Sequence, residues 1–205
     1  MTSSLRREPR QARSRAMVER IVDAARAVLA AEGYDAFSTN RVAAAAGVSP
    51  GSLYQYFPDK TALVDVLARQ WVDRMSDDVA GALLAHVDAE APDLLRSAAT
   101  ALLDAVERDP LMLRIVWLEL PGARNVAARD ALERRVRDVL TTYLRLRHPA
   151  TAERADRLAW VLVLTAQQLT VRFVLDPDPP LTREQLVDEL VAVSAGVLGV
   201  PGVPD

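Results

Sequence analysis

The sequence predicts an all-α protein of about nine helices, built as a small N-terminal unit followed by a larger helical body. Three observations lead there. Apolar residues recur at three- and four-residue intervals, with no convincing two-residue alternation of the kind a half-buried strand needs. The breaks between periodic segments carry Gly or Pro at positions that stop a helix. The restarts carry Ser, Thr or Asp, whose side chains can accept from the unpaired N–H groups of a first turn.

Taken in order, Val18, Ile21, Val22, Ala25 and Leu29 share one helical face, and Gly33 is placed to end that helix. Ser38 or Thr39 can cap a second helix running to Gly47. Ser49-Pro50 is an N-cap with proline at the first helical position, opening a short third helix that stops at Pro58. Asp59 can cap a fourth, with Leu63, Val66, Leu67, Trp71 and Met75 on its apolar side, continuing to about His86. Pro92 opens a helix carrying Leu95, Ala98, Leu102 and Val106. Asp109-Pro110 ends it and starts another, through Trp117 to Leu120. After Pro121-Gly122 a long helix spans about Val126 to Leu146, with Asp130–Arg134 and Glu133–Arg137 at i,i+4 spacing on its outer face. His148-Pro149 separates it from a helix between Thr151 and Leu175, Asp176 to Pro180 forms a rigid loop, and a last helix covers Thr182 to Leu198.

Composition narrows the function classes. The chain has 205 residues, half of them hydrophobic, which is enough to bury a substantial core. With no cysteine, disulfides, zinc–thiolate sites and thiol nucleophiles are excluded. His86 and His148 stand apart from any acidic cluster, and there is no HExxH and no phosphate-binding loop. No metal and no cofactor is therefore expected, and an all-α enzyme is poorly supported. No apolar stretch follows the basic N-terminus, so no secretory leader is expected. The longest apolar run, Leu158 to Leu164, falls short of the roughly 20 residues of a membrane span. The expectation is a cytoplasmic protein with no membrane partner. The net charge of -3 is uneven: residues 1–60 carry nine basic and six acidic side chains, the remainder sixteen and twenty-two. A small basic excess at one end points weakly to a polyanion for that end only.

The segment from Thr39 to Phe57 meets several requirements of a helix-turn-helix together. Val42 and Leu53 can pack one helix on the other, and Ala43 is small enough for a close crossing. Gly47 can take the positive φ of the turn, Val48 can plug the core beneath it, and Ser49 restarts the chain as a helix. An ordinary helical hairpin would share some of these features. The exposed side chains separate the two. The second helix of such a motif enters the major groove with its N-terminal residues facing base edges. Here that end is Pro50-Gly51-Ser52, where Gly51 lets the backbone come close to DNA. Gln55 can pair with adenine through two hydrogen bonds. Tyr54 and Tyr56 offer hydroxyls to phosphates; two apart on a helix, they cannot both face a core. Lys60, the one lysine of the chain, lies where the first turn of the next helix would also meet phosphate. Thr39, Asn40, Arg41 and Ser49 complete the candidate DNA-binding set.

Ser38-Thr-Asn-Arg-Val-Ala, Ala46-Gly-Val-Ser, Gly51-Ser-Leu-Tyr-Gln-Tyr-Phe and Pro58-Asp-Lys-Thr-Ala-Leu63 together resemble the DNA-binding domain of the tetracycline-repressor (TetR) family over Met17 to Leu67. Phe37 departs from the threonine often found there, a change expected to affect packing rather than binding. The resemblance implies a homodimer joined through the last two long helices. It implies middle helices around a small-molecule pocket, and a ligand that releases the protein from double-stranded operator DNA. The domains expected are a basic disordered arm at 1–15, the helix-turn-helix at 16–62, and a ligand-binding and dimerisation domain at 63–205. An activator of the same fold, or a ligand-binding module without DNA binding, are the alternatives.

The second domain supplies its own pointers. The helix after Thr151 starts charged and then becomes apolar nearly all round to Val171, broken by Thr165, Gln167, Gln168 and Thr170. Such a helix must be covered on every side. A partner helix from a second copy is one solution, the centre of a monomer's core another. Trp71, Met75, Met112, Trp117, Tyr143, Trp160, Gln167, Gln168 and Arg172 are the candidate ligand-binding residues, since large flat side chains with a few polar groups suit a cavity. For any single one of them, plain core packing is the simpler role.

Overall fold

The computed structural model describes residues 8–119, 122–147 and 149–199, which form helices and turns with no strand among them. The α-helices are α1 Glu8–Ala36, α2 Thr39–Ala46, α3 Pro50–Tyr54, α4 Lys60–Ala85, α5 Ala91–Glu107, α6 Pro110–Arg114, α7 Gly122–Arg147, α8 Ala155–Leu175 and α9 Arg183–Leu198. A π-helical turn, Ile115–Glu119, follows α6, and a 3-10 turn, Pro149–Arg154, precedes α8. Two compact units emerge, residues 1–70 and 71–205. Their boundary falls within α4, later than the expected 62/63. Residues 8–15, expected as part of a disordered arm, belong to helix α1. The remainder of that arm, with Arg6 and Arg7, lies outside the described residues, as do Pro121 and His148.

In the first unit α1 buries Ile21, Val22, Ala25, Val28 and Leu29, and Gly33 breaks its regular geometry with φ 74°. Each following element begins and ends on a short-range hydrogen bond. Ser38 accepts from the Arg41 N–H at the start of α2. Gly47, in the left-handed region at φ 64°, closes α2 by donating to the Ala43 and Ala44 carbonyls. Ser49 caps α3 through the Ser52 N–H (3.1 Å), with Pro50 in the first helical position where no N–H is needed. Asp59 Oδ1 accepts from the Ala62 N–H (2.8 Å) in the first turn of α4. Val42, Ala43, Leu53, Phe57 and Leu63 are buried together with Phe37. The phenyl ring that departs from the usual residue is thus core.

Ion pairs fix the helix directions of the second unit. Asp78 meets Arg108 (2.7 Å) and His86 meets Ser97 (3.0 Å), so α4 and α5 run antiparallel. Asp77 meets Arg135 (2.5 Å) and Asp88 meets Arg147 (3.4 Å), so α7 runs parallel to α4. Arg145 meets Asp156 (2.6 Å), while Arg137 lies beside Trp160, so α8 reverses α7. Arg96 meets Asp188 (2.7 Å) and Glu107 meets Arg183 (3.1 Å), so α9 reverses α5. These pairs are largely exposed and set register more than stability. The core between the helices is apolar, with Leu94, Leu103, Leu113, Ile115 and Leu144 fully buried. The π-helical turn presents Trp117 edge-on to Trp71, their ring centroids 6.2 Å apart. The segment 152–175 has the length and mean hydropathy (1.6) of a membrane-crossing helix. Within the fold, Leu158, Leu162 and Val171 of α8 are buried against neighbouring helices.

Candidate functional site

The first candidate surface is built by α2, α3 and the start of α4. Leu53 is the one buried side chain of α3 and is fully enclosed, so it pins the five-residue helix and sends the rest of it outward. Tyr54 is about half exposed (49 %) and Gln55 is exposed, with Tyr56 intermediate. The Tyr54 hydroxyl lies 3.0 Å from Thr39 Oγ1, which ties the end of α3 to the first residue of α2 and holds two hydroxyls side by side. Asn40 is exposed, and Arg41 is exposed but paired with Glu32. Ser49 and Ser52 are engaged with each other, Oγ to Oγ at 2.9 Å, in addition to the cap. Lys60 turns back toward the end of α1: Nζ donates to the Tyr34 carbonyl (2.6 Å) and sits 4.0 Å above the Tyr34 ring. Its ammonium has three donors, and the Tyr34 carbonyl takes one.

Nothing in the fold requires Gly51, as nothing in it requires the helical glycines Gly81 of α4 and Gly196 of α9. Gly51 sits in the first turn of α3, exposed and without a positive φ, and an added Cβ would meet nothing nearer than Ser49 Oγ at 3.9 Å. Glycine in a helix is unfavourable relative to alanine by roughly 0.5–1 kcal/mol.

The second candidate is an apolar cleft of about 70 Å³ in the larger unit, bounded by four helices. Val79 and Leu83 of α4, Leu95 and Leu102 of α5, Val136 and Leu140 of α7, and Leu162 and Gln167 of α8 form most of its wall. Gln167 is its one polar lining residue among the described residues. It is 7 % exposed, and its Oε1 is buried with no hydrogen-bond partner among the described residues. Buried polar atoms in native proteins are nearly always paired, so such an atom calls for a physical account.

Of the nine residues expected to surround a ligand, Gln167 alone lines this cleft. Trp71 and Met75 are buried and border a separate hollow with Arg74, Ala105, Arg108 and Asp109. Met112 is core, and Trp117 is half-buried against Trp71. Tyr143 is buried beside a groove with Leu84 and Leu146. Its hydroxyl reaches toward the Ala89 carbonyl (3.4 Å), and burial pushes the phenol up, opposed by Arg147 and aided by Glu90. Trp160 (47 % exposed), Gln168 and Arg172 face away from the core. The nine are therefore not one constellation. Size and aromaticity marked them, but the wall of the cleft is made of Val, Leu and Ala drawn from four helices. The one signal available was a polar residue interrupting an apolar helix, which holds for Gln167 and also for Thr170.

Comparison with known proteins gives the same picture. Residues 21–67 match the family described as bacterial regulatory proteins, tetR family. Residues 90–198 match a tetracyclin repressor-like C-terminal domain. The HTH-type transcriptional repressor Rv1474c of Mycobacterium tuberculosis is 35 % identical over 165 residues, 70 % of this chain and 88 % of that protein. A TetR-family transcriptional regulator from Streptomyces coelicolor superimposes with a TM-score of 0.69 at 18 % identity, covering 89 % of this chain and 80 % of that one. Thermus thermophilus FadR, a TetR-family repressor in complex with lauroyl-CoA, superimposes with a TM-score of 0.62 at 23 % identity, covering 91 % and 97 %. With both of its units matched, the chain belongs to the TetR family of transcriptional regulators.

Proposed function

We propose that the protein is a homodimeric, cytoplasmic repressor with no catalytic role, which holds operator DNA through α2 and α3 and leaves it when a mostly apolar small molecule fills the α4–α5–α7–α8 cleft. The observation that carries the DNA-binding half is Gly51. A glycine with no cause inside the chain, next to the outward Tyr54 and Gln55, suits close approach of a backbone to a DNA groove. Tyr54, Tyr56, Thr39, Asn40, Arg41 and Lys60 are assigned to phosphate and sugar contacts, and Gln55 to base readout. Ser49, Pro50 and Ser52 set the pitch of α3. Lys60 would exchange the Tyr34 carbonyl for a phosphate.

The repressor assignment is supported by the name of the Mycobacterium relative, and the effector by the acyl-CoA ligand of the Thermus one. For the dimer, the support is apolar surface left open on the last two helices: Trp160, Val161, Leu169 and Val193 are all more than a third exposed. Large side chains of this kind on α8 and α9 suit a second copy. The two recognition helices would then reach successive major grooves roughly 34–36 Å apart. An effector acts on the operator only by its differential affinity for the two dimer states, typically about 1–3 kcal/mol of coupling. A gel-shift titration with the DNA upstream of the protein's own gene tests the whole reading. Sequence-specific retardation of a dimer is expected, and a chain that sediments as a monomer at micromolar concentration and retards no fragment overturns it.

A further inference from the structure

Besides Glu119 Oε2, three buried side-chain polar atoms of the larger unit have no hydrogen-bond partner among the described residues: Ser76 Oγ, Gln167 Oε1 and Thr170 Oγ1. Ser76 is 2 % exposed and Thr170 fully buried. They are not scattered. Ser76 lies three residues before Val79 on α4, and Thr170 lies three residues after Gln167 on α8, each one helical turn beyond the cleft wall. Since α4 and α8 run antiparallel, both turns extend toward the same end of the cleft. The other end, at Leu83, Leu95 and Leu162, is apolar. The cleft is thus polarised along its length, with a carboxamide and two hydroxyls toward one end and hydrocarbon at the other.

We propose, resting on the assignment of this cleft as the effector site, that it takes a short, uncharged, largely apolar molecule carrying one hydrogen-bonding group, and that the Gln167 carboxamide is the polar partner that selects it. An isolated ionised group would lose its hydration and meet no opposite charge, because among the described residues no Asp, Glu, Lys, Arg or His lines the cleft. A carboxylate head is therefore excluded from the buried end, and an ammonium likewise. A carboxamide offers both an acceptor oxygen and a donor NH2, so Gln167 can pair a hydroxyl, an amide or a ketone. A hydroxyl satisfies Oε1 by donating. The cleft volume, about 70 Å³, keeps the ligand short.

Calorimetric titration of the full-length protein with 1-hexanol, 2-hexanone, hexanoate and hexylammonium tests this directly. Hexanol and hexanone are expected to bind, and neither ion measurably. Gln167→Leu should weaken both neutral ligands about ten-fold, the loss one neutral hydrogen bond represents, while raising the melting temperature, because an unpaired acceptor leaves the core. Hexanoate bound more tightly than either neutral molecule by the unaltered protein overturns the proposal whether or not the variant folds. A Gln167-dependent site for the neutral ligands that leaves operator affinity untouched would instead uphold the ligand class and refute ligand-driven release.

Discussion

The two units treat buried polar groups differently. In the first, the polar side chains at helix ends close short local circuits: Ser38 to Arg41, Ser49 to Ser52, Asp59 to Ala62. Its interior is plain hydrocarbon around Val42, Leu53 and Phe57, and its functional chemistry is displayed outward. The second unit caps its helices in the same way, at Asp109 and Thr182, but also holds the unsatisfied polar atoms Ser76 Oγ, Gln167 Oε1 and Thr170 Oγ1 inside. A small unit with a five-residue helix has no stability to give to an unpaired buried dipole, whose cost is about 1–3 kcal/mol. A larger core can carry one, and a ligand that pairs it would return that energy. The difference teaches where each unit expects its partner: outside the first, within the second.

The largest effect that could break this contrast is loss of the first unit alone. Leu53→Ala removes the single buried side chain of α3, and large-to-small changes at such sites cost about 2–5 kcal/mol. Operator binding should disappear while alcohol binding in the cleft, followed by calorimetry, persists. Simultaneous loss of both would mean the two units do not keep separate accounts of their stability.

Next in size are the outward side chains. Gln55→Ala should relax base preference by about 1–3 kcal/mol in a binding-site selection. Lys60→Ala should weaken all sequences alike and lower the salt dependence by about one counterion. An unchanged preferred operator for Gln55→Ala removes the base-reading role of α3.

The helix-turn-helix was legible in the sequence because its determinants are local. Gly47 in a left-handed turn, Ser49 before Pro50, and Asp59 at the next helix start each act within four residues, and each occupies the place its chemistry predicts. The helix count was legible for the same reason. The cleft was not. Its wall joins residues from Val79 to Gln167, and a void between four helices is decided by which side chains fail to fill it. Trp71, Trp117 and Met112 looked like lining because they are large, and large side chains are the ones that fill space instead. Ordinary Ala and Leu positions carry no mark of lining a gap. Residues 8–15 joined α1 although basic composition suggested an arm, since helix formation needs no apolar face at a solvent-exposed end.

A smaller effect sharpens the role of Gly51. Gly51→Ala should raise the stability of the first unit by up to about 1 kcal/mol, because helix propensity improves and the new Cβ meets only ordinary contact distances. The same change should weaken operator binding. Stability and affinity moving in opposite directions identifies a residue kept for its partner. Unchanged affinity would leave the glycine without a function.

The finest test makes one substitution at two serines. Ser49→Ala removes an N-cap: the Ser52 N–H loses its acceptor and the start of α3 frays, at a cost of about 0.5–2 kcal/mol. Ser76→Ala removes a hydroxyl that is buried and unpaired in the ligand-free protein, so the desolvation penalty disappears with it. Against that gain stands the small packing loss of one oxygen, and the net change should be zero to about 1 kcal/mol stabilising. Identical chemistry therefore gives opposite signs in urea denaturation of the free protein. Adding 1-hexanol extends the comparison. If a ligand hydroxyl, or water ordered by it, reaches the Ser76 end of the cleft, the ligand's stabilising effect will be smaller for Ser76→Ala than for the unaltered protein, and unaffected by Ser49→Ala beyond the shift in baseline. Two destabilising serine substitutions of equal size would show that Ser76 has a partner in solution, and the contrast between an outward-facing and an inward-facing unit would fail at that residue.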